Sequence, residues 1–133
     1  MNASEYLEQI KKLDMLISNK SRERRRWAEL ADTMGAFSTD EKVKSTHNPQ
    51  KTANAIITYC DLDREIAELE RKRTSIIQTI EKLPPDEYTV IYESYVQRST
   101  IQEIASLCDK SYDWVKKRKR RGLMLIQVLI DAK

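Results

Sequence analysis

Residues Thr100 to Arg121 read TIQEIASLCDKSYDWVKKRKRR. The stretch opens with Thr-x-x-Glu, Thr100 to Glu103. A threonine oxygen at such a position accepts a free backbone N–H at a helix start, and a glutamate three residues on reaches back to the cap. The pair predicts a short helix over 101–108, with Ile101, Ile104, Ala105 and Cys108 turned inward. Asp109 and Lys110 supply a turn. Ser111 then caps a second helix that begins Tyr112-Asp113-Trp114-Val115. Its inward positions are Val115, the stem of Arg118 or Lys119, Gly122, Ile126 and Leu129. Its other face carries Lys116, Lys117, Arg120 and Arg121. Two capped helices, a short turn and a small residue (Ala105) that permits close approach make the pattern of a helix-turn-helix. In that motif the first helix crosses the nucleic-acid backbone and the second enters the major groove.

Charge follows the same division. The chain has a net charge of only +3, yet Lys110 to Arg121 holds seven basic residues against one acid, a local net of +6. The remainder therefore carries −3. A basic run alone is commonly a solvated helix face. Joined to two caps and to core spacing, it predicts double-stranded DNA as the partner. The expected contact residues are Ser111, Tyr112, Asp113, Lys116, Lys117, Arg120 and Arg121. Tyr112, Asp113, Lys116 and Lys117 lie at the start of the second helix and face base edges, while the remaining cations face phosphates. The capped helix start itself suits a phosphate. Trp114 reads as a residue filling the gap between the two helices.

Upstream, Pro84-Pro85 ends whatever helix precedes it, because proline cannot extend the hydrogen-bond ladder and disfavours helix in the residue before it. Asp86 is expected to cap a helix running to about Gln97, with Tyr88, Ile91, Tyr92 and Tyr95 as its apolar face. Arg98-Ser99 breaks that pattern. Before the prolines, Leu62, Ile66, Leu69, Arg73, Ile76, Ile80 and Leu83 alternate in steps of four and three, a heptad seam interrupted by Arg73. They place a helix over about Thr52 to Leu83. Tyr6, Ile10, Leu13 and Ile17 give a first helix over about Ala3 to Met34, with Ser4 as its cap. Between the two lies a polar loop near 35–51. The simplest packing is a long antiparallel helical hairpin. A homodimer through the heptad helix, an intermolecular coiled coil, wants the same pattern. The expected division is 1–83 for the hairpin or coiled-coil region and 84–133 for the helix-turn-helix domain.

Composition agrees with an all-α chain: two Gly, three Pro and 34% charged residues. Apolar stretches are short and interrupted by charge, so no membrane span is expected. The acidic, polar start differs from a signal peptide, and a cytoplasmic location is expected. Cys60 and Cys108 sit in apolar helical patterns and read as buried, reduced thiols. With His47 they are too few and too scattered for a metal centre. No nucleophile and base converge and no glycine-rich phosphate loop occurs, so neither enzymatic activity nor a cofactor is expected. A second basic cluster, Lys20, Arg22, Arg24, Arg25 and Arg26 around Glu23, reads as a solvated helix face.

The segment Ile91-Tyr92…Tyr95, Glu103-Ile104-Ala105, Ser111-x-x-x-Val115-Lys116 and Gly122-Leu123 is similar to the DNA-reading fourth region of bacterial sigma factors. As a whole the chain resembles a phage-encoded family of late-gene transcription regulators, the RinA/ArpU-like group. The resemblance runs from YLEQIKKLDMLISNK through YCDLDREI to DEYTVIYESYV, EIASL and KSYDWV. It implies a regulator of phage genes acting on promoter DNA in the bacterial cytoplasm, with bacterial RNA polymerase as a further partner. It places Ser111, Trp114, Val115, Lys116 and Lys117 on the reading helix, and Ile104 and Ala105 on the supporting one. One departure stands out: Lys116 to Arg121 is an unbroken cationic run, and Gly122 stands where related sequences have Ala. A helical Gly costs up to about 1 kcal/mol against Ala, which predicts a bend or end at Gly122. Two other readings share the pattern. One is a DNA-binding packaging protein of the small terminase type. The other is a coiled-coil adaptor with a basic tail.

Overall fold

The computed structural model describes residues 1–33 and 49–133. Among them are five helices and no strand: α1 (Ala3–Thr33), α2 (Pro49–Ile80), α3 (Pro85–Tyr95), α4 (Ile101–Cys108) and α5 (Tyr112–Asp131). The chain is all-α, with two long helices followed by a helix-turn-helix. The polar loop expected near 35–51 lies outside the described residues, apart from 49–51, which open α2. His47 lies outside them too.

Helix ends follow local chemistry. Asn2, not Ser4, caps α1: its side-chain oxygen accepts the Glu5 N–H at 2.8 Å, and its amide donates to the Glu5 carboxylate at 3.1 Å. α2 begins at Pro49, three residues before the expected start; proline suits the first helical position, where its missing N–H has no partner to lose. α2 also stops three residues early, at Ile80. Lys82 and Leu83 donate to Thr79 and Ile80 in tighter turns, and Pro84 follows directly. α3 starts at Pro85 with Pro84 at its cap position and no side-chain cap bond. Asp86 therefore lies in the first turn and does not cap it, a correction to the sequence reading.

The helices form two compact units, Met1–Leu13 with Lys72–Lys133, and Asp14–Arg71. The expected sequence division at Leu83 and Pro84 thus differs from the division in packing, because α1 and α2 each contribute to both units. In the 14–71 unit, Lys20 pairs with Glu65 at 2.8 Å and Arg24 with Asp63 at 2.6 Å. Numbers rise along α1 as they fall along α2, so the two helices are antiparallel there. The second basic cluster is a solvated face, partly neutralised by these α2 acids and by Glu23 beside Arg26, while Arg22 donates to the Asn19 side-chain oxygen. Ala31, Thr52, Ala55 and Ile66 are its buried residues. Cys60 is exposed and Cys108 half-buried, and both are free thiols; the expectation of two buried cysteines fails for Cys60, on the outer face of α2.

In the other unit the first turns of α1 are part of the packing. Leu7 and Ile10 are fully buried, with Ala3 and Leu13 close to it. Tyr6 Oη bonds Thr79 Oγ1 at 3.0 Å, and the Ala3 N–H donates to Gln127 Oε1 at 2.7 Å. Ile76, Ile80 and Leu83 of the heptad seam are buried as well. Val90, Ile91, Ile104, Val115 and Ile126, from α3, α4 and α5, have no exposed surface. On α3 the buried set is Glu87, Val90, Ile91 and Tyr95. Tyr88 and Tyr92 are half-buried and stack on each other with centroids 5.6 Å apart. No described helix is long and apolar enough to cross a membrane.

Candidate nucleic-acid interface

α4 is defined by its caps. Thr100 Oγ1 accepts the Glu103 N–H at 3.2 Å, and the Glu103 carboxylate accepts the Thr100 N–H at 3.4 Å, so the capping box is complete. At the other end Lys110 N–H donates to Ala105 O and Asp109 N–H to Ser106 O. That is a Schellman closure, and it puts Asp109 in the left-handed region at φ 56°. Ser111 Oγ then accepts the Trp114 N–H at 3.1 Å and starts α5. The two helices share a core of Val90, Ile104 and Val115, against which Ile101, Ala105, Cys108 and Trp114 pack. Trp114 is thus the gap-filler expected of it. Lys110 and Arg118 sit over its ring at 5.6 and 5.4 Å.

α5 runs unbroken through Gly122 to Asp131, so the expected bend or end is corrected. Gly122 is buried against α3. A Cβ there would lie 2.6 Å from Ile91 Cγ1 and 3.0 Å from Ile91 Cδ1. The missing side chain is the space in which Ile91 sits, and close packing outweighs the propensity cost of glycine. Val115, Gly122 and Ile126 form the buried stripe.

The opposite side of α5 is cationic. Tyr112, Asp113, Lys116, Lys117, Arg120 and Arg121 are all exposed, Tyr112 by 51%. At 100° per residue they spread over about half the helix circumference. Ser111 is also exposed, with its hydroxyl engaged in the cap. Lys116 Nζ lies 5.7 Å above the Tyr112 ring, a contact that orders both side chains on the first turns. Beyond Arg121 the face becomes apolar, with Met124 and Val128 each 65% exposed.

Arg118 and Lys119 turn toward the body, and exposed Arg121 lies at the edge between the two sides. Arg118 Nη1 donates to Glu87 Oε1 at 2.9 Å. Arg121 Nε lies 3.6 Å from the same oxygen, with its side chain 65% exposed. Lys119 Nζ lies over the Tyr95 ring at 5.3 Å. The Glu87 side chain is only 4% exposed. Burial alone would push its carboxyl up; the hydrogen bond from Arg118, the bond from its own backbone and the charges of Arg118 and Arg121 together outweigh burial and hold it below the ordinary value. Sequence reasoning missed this residue, taking it for an ordinary acid at a helix start. The signal was its spacing: Leu83, Glu87, Val90 and Ile91 follow a core stripe, with an acid inside it.

A capped pair of helices around one small core, with a cationic second helix, matches a known module. Residues 73–126 match the family model of sigma-70, region 4. The helix-turn-helix is similar to sigma-70 region 4. No curated protein and no solved structure matches the chain. The sigma region 4 match begins in the last turns of α2 and ends at Ile126, so it takes in α3, α4 and most of α5. Sigma-70 region 4 is a DNA-binding, transcription-related module. Among the described residues no three of His, Cys, Asp and Glu gather as metal ligands.

Proposed function

We propose that the protein is a sequence-specific DNA-binding transcription regulator, phage-encoded and acting on phage gene expression in the cytoplasm of a bacterial host. The observation that carries this reading is the exposed face of α5: three cations (Lys116, Lys117 and Arg120) and Arg121 beside them, on a Ser111-capped helix of sigma region 4 type. In this reading Tyr112, Asp113, Lys116 and Lys117 meet base edges in the major groove, and Arg120 and Arg121 meet phosphates. The Ser111 end of α5 presents free N–H groups to a phosphate. Bacterial RNA polymerase is the further partner, as region 4 modules act beside it. The whole-chain resemblance to late-gene regulators supports the phage assignment.

Selection of bound duplexes from a randomised pool tests this reading. A regulator enriches a defined motif, and the motif placed upstream of a reporter changes its transcription when the protein is expressed. Enrichment of no motif contradicts it. A small terminase subunit also joins a helix-turn-helix to long helices. A ring of many copies in solution favours that alternative, and a monomer or dimer favours the regulator.

A further inference from the structure

Six consecutive cations, Lys116 to Arg121, invite the assumption that all of them serve the nucleic acid. The packing of α5 sorts them. Arg118 points at α3, its Nη1 2.9 Å from a carboxylate that is itself almost fully buried. Its guanidinium also stacks over Trp114, inside the cluster that joins α4 to α5. Two helical turns of α5 are held at this point: Val115 and Gly122 are buried on either side of Arg118, and Gly122 leaves no slack against Ile91. The buried stripe of Val115, Gly122 and Ile126 fixes the rotation of α5 about its own axis, and that rotation turns Arg118 to Glu87 and leaves Lys116, Lys117 and Arg120 exposed.

We propose that Glu87 is a positioning residue of the DNA-binding surface. Its carboxylate takes the charge of Arg118, removes that arginine from the contact set and leaves Lys116, Lys117 and Arg120 as the outward cations, with Arg121 at their edge. The inference rests on the reading of α5 as the DNA-binding helix. Arg118 touches no phosphate. Its loss leaves Arg121, 3.6 Å from the Glu87 carboxylate, as the remaining cation beside it, and draws that exposed guanidinium away from a surface that must approach a polyanion.

The test is a double-variant cycle on the full chain, read by anisotropy of a labelled duplex across a range of salt. Arg118→Met keeps the apolar stem over Trp114 and is expected to weaken binding about tenfold. Adding Glu87→Gln removes the charge that holds Arg121 and is expected to return affinity to within about threefold of wild type, with the wild-type salt slope. Arg120→Ala is the reference for a real phosphate contact: it lowers the slope by about one unit, and Glu87→Gln does not restore it. Partial unfolding does not mimic this result, since it lowers the active fraction at every salt and leaves the slope in place. A double variant as weak as Arg118→Met, with a slope one unit below wild type, would show Arg118 on a phosphate and overturn the proposal. Failure of the wild type to bind duplex at low salt would instead remove the DNA-binding reading itself, and this role with it.

Discussion

Glu87 shows how one residue's context reverses its meaning. An acid in the first turn of a helix ordinarily favours the helix dipole and is solvated. Here it is buried under two arginines. Because its folded pKa lies below the ordinary 4.5, the ionised form contributes stability above that value, and the contribution is lost as pH falls below it through the folded pKa. Glu87→Gln is expected to lower stability by about 2 kcal/mol near neutral pH and to flatten the acid-side decline in denaturant titrations. Identical acid-side curves for the two proteins would contradict the pair. Gly122 carries a second residue-scale expectation. Gly122→Ala gains helix propensity, but its Cβ meets Ile91 at 2.6 Å, so a net loss of roughly 1–2 kcal/mol is expected in a thermal melt. A higher melting temperature would mean that Ile91 yields freely. The sequence could not reveal this contact, since spacing says which residues face inward and not how near the opposing helix comes.

At the scale of elements, the sequence was most legible where side chains bond their own backbone. The Thr100–Glu103 box and the Ser111 cap depend on residues within three positions of each other, so local chemistry settles them. Thr100→Ala is expected to destabilise the helix-turn-helix by about 1 kcal/mol in denaturant titration, and no change would speak against the box. Asp109 holds a left-handed conformation, for which glycine has no steric cost. Asp109→Gly is therefore expected to stabilise the turn by about 0.5 kcal/mol, and a loss of stability would point to a role for the carboxylate. Boundaries set by proline were less legible. Pro84–Pro85 marked the end of α2 correctly in kind, but the helix loosened three residues before Pro84, and it began on Pro49, inside the stretch read as loop. The apolar face of α3 was also read a step off: its tyrosines suggested Tyr88 and Tyr92, whereas Val90 and Glu87 lie inside. Aromatic rings satisfy a half-exposed position as well as a core one, so their presence does not fix the face.

On the scale of the whole molecule, the all-α class and the order of hairpin and helix-turn-helix were legible, because periodicity and charge distribution report them directly. What sequence did not disclose is that Met1–Leu13, distant along the chain, packs in the same unit as the helix-turn-helix. Leu7 and Ile10 looked like any amphipathic stripe, and the identity of the surface that covers a stripe is a tertiary fact. The division of charge was plain from the start: a local +6 on a chain of net +3. Function in transcription requires that this charge, on the outer face of α5, bind duplex DNA. Fluorescence anisotropy of a generic labelled duplex, titrated with wild type and with Lys116→Ala/Lys117→Ala at several salt concentrations, asks this directly. Affinity is expected to fall steeply with salt for the wild type; on a generic duplex, where Lys116 and Lys117 meet phosphates instead of the base edges of a specific site, the double variant is expected to bind more weakly with a slope shallower by about two units. No binding at low salt, or an unchanged slope in the variant, would contradict it.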